Sequence, residues 1–204
     1  MHASASVPGL WIVIPVKPLG ESKSRLAGVL DADGRATLTR RWLTHVLATA
    51  AAWGKAAGVI VVSRDAQVLA LVQSHAALPV LEQGDALNPA LEQARAAAPV
   101  TPGDALLVLP SDLPLLTSGD LDELYDLMLE GPGVVIAPSH DGGTNALLLR
   151  PSHALPYAFG EASFARHCEL ARDAGLPCRI YHSATLALDI DHPEDLPVLA
   201  AAER

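Results

Sequence analysis

The sequence predicts an α/β protein, a three-layer α/β/α sandwich around a mostly parallel, mixed sheet. Three observations predict it. Short, almost wholly apolar runs alternate with longer amphipathic segments through the first half of the chain, the pattern of βαβ units whose parallel strands are covered on both faces. Beyond about residue 130 two strand-like runs are separated by a Gly-rich turn, which brings in antiparallel pairing. Half of the 204 residues are hydrophobic and 18% are charged, enough apolar material for one buried core.

The elements follow in order. Leu10 to Val16 (LWIVIPV) reads as a buried strand and Lys17 to Arg25 as a polar loop. Arg35 to Trp53 reads as a helix, because Leu38, Trp42, Val46, Leu47 and Ala50 fall close to one stripe, with Asp31 or Asp33 near its start. Gly58 to Ser63 is a second buried strand, Asp65 caps a helix that ends near His75, and Pro79 to Leu81 is a short third strand. Asn88-Pro89, a favoured cap and first-turn pair, introduces an Ala-rich helix to Ala98. Asp104 to Pro110 is the fourth strand. Ser118 to Leu129 is a helix whose Asp120, Asp122 and Glu123 suit its positive N-terminus. Gly133 to Ala137 and Ala146 to Leu149 are strands, Ser163 to Ala174 a helix, Cys178 to Tyr181 and Leu186 to Ile190 strands, and Pro193 to Ala202 a closing helix. No repeat, low-complexity tract or linker interrupts this pattern. Residues 1–204 are expected to form one domain, with 1–9 a flexible N-terminal extension.

Charge and cysteine usage exclude several classes. Fourteen Lys+Arg against 23 Asp+Glu leave a net charge of −9, which argues against non-specific nucleic-acid or anionic-membrane binding. An anionic small molecule remains a fitting ligand where the few basic residues gather. No run approaches the roughly 20 apolar residues of a membrane span, and no signal peptide is evident at the start. Cys168 and Cys178 make neither a zinc spacing nor a disulfide framework. A cytoplasmic protein is expected.

Candidate chemistry sits at strand ends, where open α/β sheets bind ligands. Lys17, Lys23 and Arg25 gather in the loop after the first strand and suit phosphates, although a solvated loop has the same composition. Asp112, between Pro110 and Pro114 at the end of the fourth strand, is a candidate metal carboxylate or a turn residue. Asp189 and Asp191 share a face in extended chain, and two like charges that close invite a cation such as Mg²⁺; a helix start is the plainer alternative. The segments Asp141-Gly142-Gly143-Thr144-Asn145-Ala146 and Phe159-Gly160-Glu161-Ala162-Ser163-Phe164 carry glycines that allow close backbone approach. Ser163 there is expected to cap a helix whose N-terminus suits an anion, and a hairpin turn and an ordinary cap are the plain alternatives. Asn88 suits a nucleotide base or sugar, or its own helix cap.

Taken in order, I-P-V-K-P-(x)4-K-S-R-L, L-N-x-A-L, P-S-D-L-P, D-G-G-T-N-A-L, F-G-x-x-S-F-x-x-H and L-D-I-D-x-P-x-D-L resemble the 2-phospho-L-lactate or phosphoenolpyruvate guanylyltransferase family of deazaflavin-coenzyme (F-420) biosynthesis, from about Ile14 to Leu196. The resemblance implies a single-domain, GT-A-like nucleotidyltransferase fold. It implies Mg²⁺ on Asp112, Asp189 and Asp191, and the phosphorylated acceptor on Thr144, Gly160 and Ser163. It sets Lys17, Lys23 and Arg25 against the phosphates of GTP as the catalytic cations, with Asn88 and Asp112 also on the nucleotide. One position departs from the pattern: Gly84-Asp85-Ala86-Leu87-Asn88 lacks the Gly expected directly before Leu-Asn.

The implied reaction moves GMP from GTP to the phosphate of a small phospho-carboxylic acid, namely phosphoenolpyruvate, 2-phospho-L-lactate or 3-phosphoglycerate, and releases pyrophosphate. A phosphate monoester is already largely anionic at neutral pH, with its second pKa at about 6, so no general base is needed. The protein's task is to offset repulsion between two anions. GTP and the phospho-acid are the expected partners, and a homodimer is compatible with this. Two other readings stay open: another nucleotidyltransferase of the same fold (molybdenum-cofactor guanylyl-, cytidylyl- or adenylyl-), whose G-x-G-T-R start is absent here, and a non-catalytic acidic-pocket binding domain.

Overall fold

The computed structural model describes residues 7–202. The flexible extension expected over residues 1–9 therefore lies mostly outside the described residues. Gly9 itself is tied down, its N–H donating to Asp104 Oδ1 at 2.7 Å and its carbonyl accepting from Ala105 at 2.8 Å.

The chain runs β1 (Leu10–Pro15), α1 (Ala32–Trp53), β2 (Gly58–Ser63), α2 (Ala66–Gln73), β3 (Leu78–Leu81), α3 (Leu87–Ala97), β4 (Ala105–Val108), α4 (Ser118–Leu129), β5 (Gly133–Pro138), β6 (Thr144–Arg150), α5 (Ser163–Asp173), β7 (Cys178–Ile180) and α6 (Asp195–Ala202). One seven-stranded sheet has the order β3-β2-β1-β4-β6-β5-β7. All neighbours pair in parallel except β6, which is antiparallel to both β4 and β5. The sandwich predicted from the apolar runs is thus the architecture observed.

Alternation along β1 makes the three layers. Ile12 and Ile14 point into one core with Leu43 and Leu47 of α1, Val68 and Val72 of α2, and Leu121 and Leu124 of α4. Val13 points into the other, with Leu91 and Ala94 of α3 and Ala171 of α5. Strands buried on both faces need no polar side, which is why their sequences are nearly pure Val, Ile and Leu.

The antiparallel β6 matters for function. Its register sets Leu147 opposite Val108 and Thr144 opposite Pro138. The start of β6 therefore lies at the same rim as the carboxyl ends of β1, β4 and β5, and polar residues there join one site.

The structure corrects three local expectations. Leu186–Ile190 is not a strand: the segment runs beside the β5–β6 turn, where His140 N–H donates to the Ala187 carbonyl at 3.0 Å, while the Ala187 N–H turns back to the Ser183 carbonyl at 2.9 Å. Asn88 does not cap α3; Ala86 is the cap residue and Asn88 lies within the first turn. Ser163 does not cap α5 either. Ala162 takes that place with a left-handed backbone (φ 52°), and Ser163 is the first helical residue. By contrast Asp31 and Asp65 cap α1 and α2, accepting from Gly34 and Gln67 at 2.7 and 2.8 Å. Thr117 and Asp120 form a reciprocal capping box on α4.

Gly133 opens β5 with φ 147°, and a Cβ there would lie 2.6 Å from the Pro177 carbonyl oxygen, which accepts the Val134 N–H. Gly133→Ala is expected to lower the unfolding free energy by about 1–3 kcal/mol. The denaturant midpoint checks this, and an unchanged midpoint would mean that the β5–β7 edge yields without cost.

Candidate active site

Four separate stretches of chain meet at the rim. The loop after β1 brings Lys17 and Lys23, with Lys23 in a left-handed backbone conformation (φ 53°) before a 3-10 turn over Ser24–Leu26. The exit of β4 brings Asp112, held between the buried Leu109 and Leu113. The extended segment before α6 brings Asp189 and Asp191, and β6 brings Asn145.

Asp112, Asp189 and Asp191 each offer a carboxylate oxygen, and these oxygens lie within 4.8 Å of one another. Lys23, with its side chain only 7% exposed, pairs with Asp112 and donates to Asp191 Oδ1 at 3.1 Å. Its ammonium also lies 5.6 Å from the centre of the Trp42 ring, a favourable cation–π distance. Arg25 reaches Asp191 Oδ2 at 2.9 Å from a more exposed position.

The charges respond as this geometry requires. Burial works against the Lys23 ammonium, but Asp112 and Asp191 outweigh it and raise its pKa above the ordinary lysine value. Burial likewise opposes the Asp191 carboxylate, yet Lys23, Arg25 and Lys17 hold its pKa low. Asp189 pairs with neither Lys23 nor Arg25 among the described residues, and the His140 ring lies 3.9 Å from its Oδ1. Burial first, then the negative charge of Asp112, push its pKa up, partly offset by the Asn145 amide, which donates to it at 3.1 Å. Three carboxylate oxygens so close together, one of them on a carboxyl whose pKa is raised, form a set that suits a divalent cation.

The acidic segment is held by side chains. Asn145 Nδ2 also donates to the Leu186 carbonyl at 2.8 Å. Asp120 at the start of α4 accepts from Tyr181, Ser183 and Thr185 at 3.1, 2.6 and 2.8 Å. Asp195 accepts the backbone N–H groups of Asp191 and His192 at 2.9 and 2.7 Å.

Beside this lies a cluster of neutral groups. Ser163 Oγ donates to Thr144 Oγ1 at 3.0 Å, and His167 Nδ1 lies 3.1 Å from the same oxygen. His167 Nε2 accepts the Ala158 N–H at 3.2 Å. All three side chains are buried. Gly160, φ 129°, forms the adjoining turn, with its carbonyl accepting the Ser163 N–H. Asn88 spends both ends of its amide on the Phe159 backbone, at 2.9 and 3.1 Å.

A cleft of roughly 230 Å³ opens between the rim and α3, with Lys17, Lys23, Asp112 and Asp191 at one end and Phe159 and Glu82 among its walls. The structure thus unites Lys17, Lys23, Arg25, Asp112, Asp189 and Asp191, and separately Thr144, Ser163 and Gly160. Asn88 is tied to the cleft wall at Phe159. Asn145, His167, Asp120 and Trp42 are contributors that the sequence did not single out. Two had signals: His167 lies four residues after Ser163, hence on the same helix face, and Thr117 with Asp120 spells a capping box before an apolar run.

The neutral state of His167 is testable. Burial, then the nearby charge of Arg166, push its pKa from 6.5 down to about 4. The folded chain therefore refuses a proton that the unfolded chain takes. This contribution to stability is full above pH 6.5, declines as pH falls towards 4, and stays lost below. His167→Asn is expected to lose less stability than the parent between pH 7 and pH 4.5 in denaturant melts; equal losses would put the proton elsewhere.

Known proteins resemble this chain over most of its length. The chain is 43% identical over 189 residues to a phosphoenolpyruvate guanylyltransferase of Sphaerobacter thermophilus, covering 92% of this chain and 91% of that one. It is 38% identical over 185 residues to a 2-phospho-L-lactate guanylyltransferase of Methanothermobacter thermautotrophicus, covering 90% and 81%. A crystal structure from Desulfovibrio desulfuricans G20, described as a nucleotide-diphospho-sugar transferase, superposes with a TM-score of 0.78 at 22% identity over 97% of this chain and 88% of that one. This shared architecture is the GT-A-like nucleotidyltransferase fold. The model of the guanylyl transferase CofC-like family matches residues 10–201, and the chain belongs to that family.

Proposed function

We propose that this guanylyltransferase transfers GMP from GTP to the phosphate of a small phosphorylated carboxylic acid, namely phosphoenolpyruvate, 2-phospho-L-lactate or 3-phosphoglycerate. The observation that supports this most is the meeting of the three carboxylates with Lys23 and Arg25 beside the cleft that Lys17, Lys23, Asp112 and Asp191 line.

The acceptor phosphate attacks the α-phosphorus of GTP in line, and pyrophosphate leaves. Because the attacking group is already anionic, the chain's task is charge and position. Lys17 and Lys23 meet phosphate oxygens as point charges, and Arg25 meets them as a planar fork. Thr144, Gly160 and Ser163 form the acceptor side: the Thr144 hydroxyl donates to the acceptor, Ser163 donates in turn to Thr144, and the Gly160 turn allows close approach. Asn88 fixes Phe159 as a wall for the nucleotide. Oxygen donors 4.8 Å apart or closer fit a Mg²⁺ ion held by Asp112, Asp189 and Asp191. When bound there, the ion supplies neutralisation of phosphate charge. Two free cysteines agree with a cytoplasmic setting.

Pyrophosphate release with Mg²⁺ and each of the three acceptors tests the reading. Release is expected from GTP, and not from ATP or CTP, with at least one acceptor. Asp112→Asn is expected to lower kcat/KM by about 100-fold or more while the folded circular-dichroism spectrum is kept. Turnover of that variant near the parent's rate would remove Asp112 from the site, and equal release from all three nucleotides would overturn guanylyl specificity.

A further inference from the structure

We propose that His167 is a positioning residue that fixes the hydroxyl proton of Thr144, so that Thr144 presents a directed donor to the anionic acceptor. This rests on the reading that Thr144 meets the acceptor.

The Ala158 N–H points at His167 Nε2, so that nitrogen carries a lone pair. A neutral ring then holds its proton on Nδ1, which lies 3.1 Å from Thr144 Oγ1 and donates to it. Ser163 Oγ donates to the same oxygen at 3.0 Å. Thr144 Oγ1 thus accepts twice, and its own O–H is left to donate. No partner takes that proton among the described residues, although Thr144 is only 5% exposed. A buried hydroxyl with an unspent donor costs stability unless a ligand completes it, and Thr144 stands at the rim where β6 begins.

The arrangement also explains why a histidine sits there. It bridges two neighbours of opposite need, the Ala158 N–H and the Thr144 oxygen, and a neutral imidazole has one acceptor and one donor to meet them. The Phe159 ring packs edge-on against it, with centroids 5.0 Å apart, which limits its rotation.

Two amide substitutions separate the ring's two ends. His167→Asn keeps a donor near the Nδ1 position and loses the Nε2 acceptor; His167→Gln keeps the acceptor and loses the donor to Thr144. The expected result is that His167→Gln raises the KM of the productive phospho-acid by about 5–10-fold, with the KM for GTP within about twofold, and that His167→Asn stays within about twofold of the parent in both. The reverse order, or both KM values rising together, would overturn the proposal and leave His167 as a support for Ala158. Thr144→Val and Thr144→Ser test the underlying reading separately. An unchanged acceptor KM in Thr144→Val removes Thr144 from the acceptor site. A raised one in Thr144→Val, restored by Ser, alongside a normal His167→Gln overturns the His167 step alone. Should a His167 variant fail to fold, ¹⁵N-edited NMR on the parent chain decides: a neutral ring protonated at Nδ1 supports the proposal, and a proton on Nε2 overturns it.

Discussion

Three carboxylates within 4.8 Å of one another repel, and the fold tolerates them because Lys23 stands between two. That ion pair is the contact on which the rest of the rim depends. It joins the loop after β1 to the exit of β4 and to the segment before α6, stretches far apart in sequence. Losing Lys23 would leave Asp112 and Asp191 without the cation they share, so one side chain ties the three segments together. The left-handed backbone of Lys23 is part of the same constraint, since a non-glycine residue keeps that conformation only where its surroundings over-determine it. Trp42 of α1 lies beneath the ammonium and couples the helix layer to the charge cluster.

The acidic segment itself must be held without more cations, because each added positive charge would compete for the carboxylates. The structure does this with backbone-directed side chains. Asn145 holds the Leu186 carbonyl, Asp195 holds two N–H groups beyond Asp191, and Asp120 gathers the hydroxyls of Ser183 and Thr185. A β-ladder over Leu186–Ile190 would have satisfied the same groups, but it would also have fixed Asp189 and Asp191 to the pleat of the sheet edge. Side-chain anchoring satisfies the backbone and leaves the two carboxylates together at the rim.

This division explains what the sequence made legible. Strands buried on both faces announce themselves as apolar runs, and β1, β2 and α4 fall where their residues predict. Short apolar runs do not reveal whether a ladder forms, so LALDI reads as a strand although its backbone groups are met by Asn145, Ser183 and His140. Cap preferences misled twice for one reason. Asn88 and Ser163 are favoured cap types, yet each is shifted inside its helix and its side chain bonds elsewhere, to Phe159 and Thr144. Of the site, the charged residues were legible because their strand-end positions and order carry the family pattern. Asn145 and His167 lie within that pattern, but their work is done through partners distant in sequence, which spacing alone cannot show.

The two halves of the rim therefore differ in kind. The half built from Lys17, Lys23, Arg25 and three acids balances charge, and its elements are tied by ion pairs. The half built from Thr144, Ser163 and His167 is uncharged, and burial keeps its imidazole neutral, with a pKa near 4. A protonated His167 would attract an anionic acceptor more strongly, yet it would turn a second N–H against the Ala158 N–H and lose the bond that orients the ring. In the proposed role, attraction belongs to the cations around the nucleotide, and the neutral cluster supplies direction. Long-range charge falls off gradually with distance, whereas a hydroxyl fixed by two donors favours one line of approach. That is the complement an in-line displacement between two anions requires.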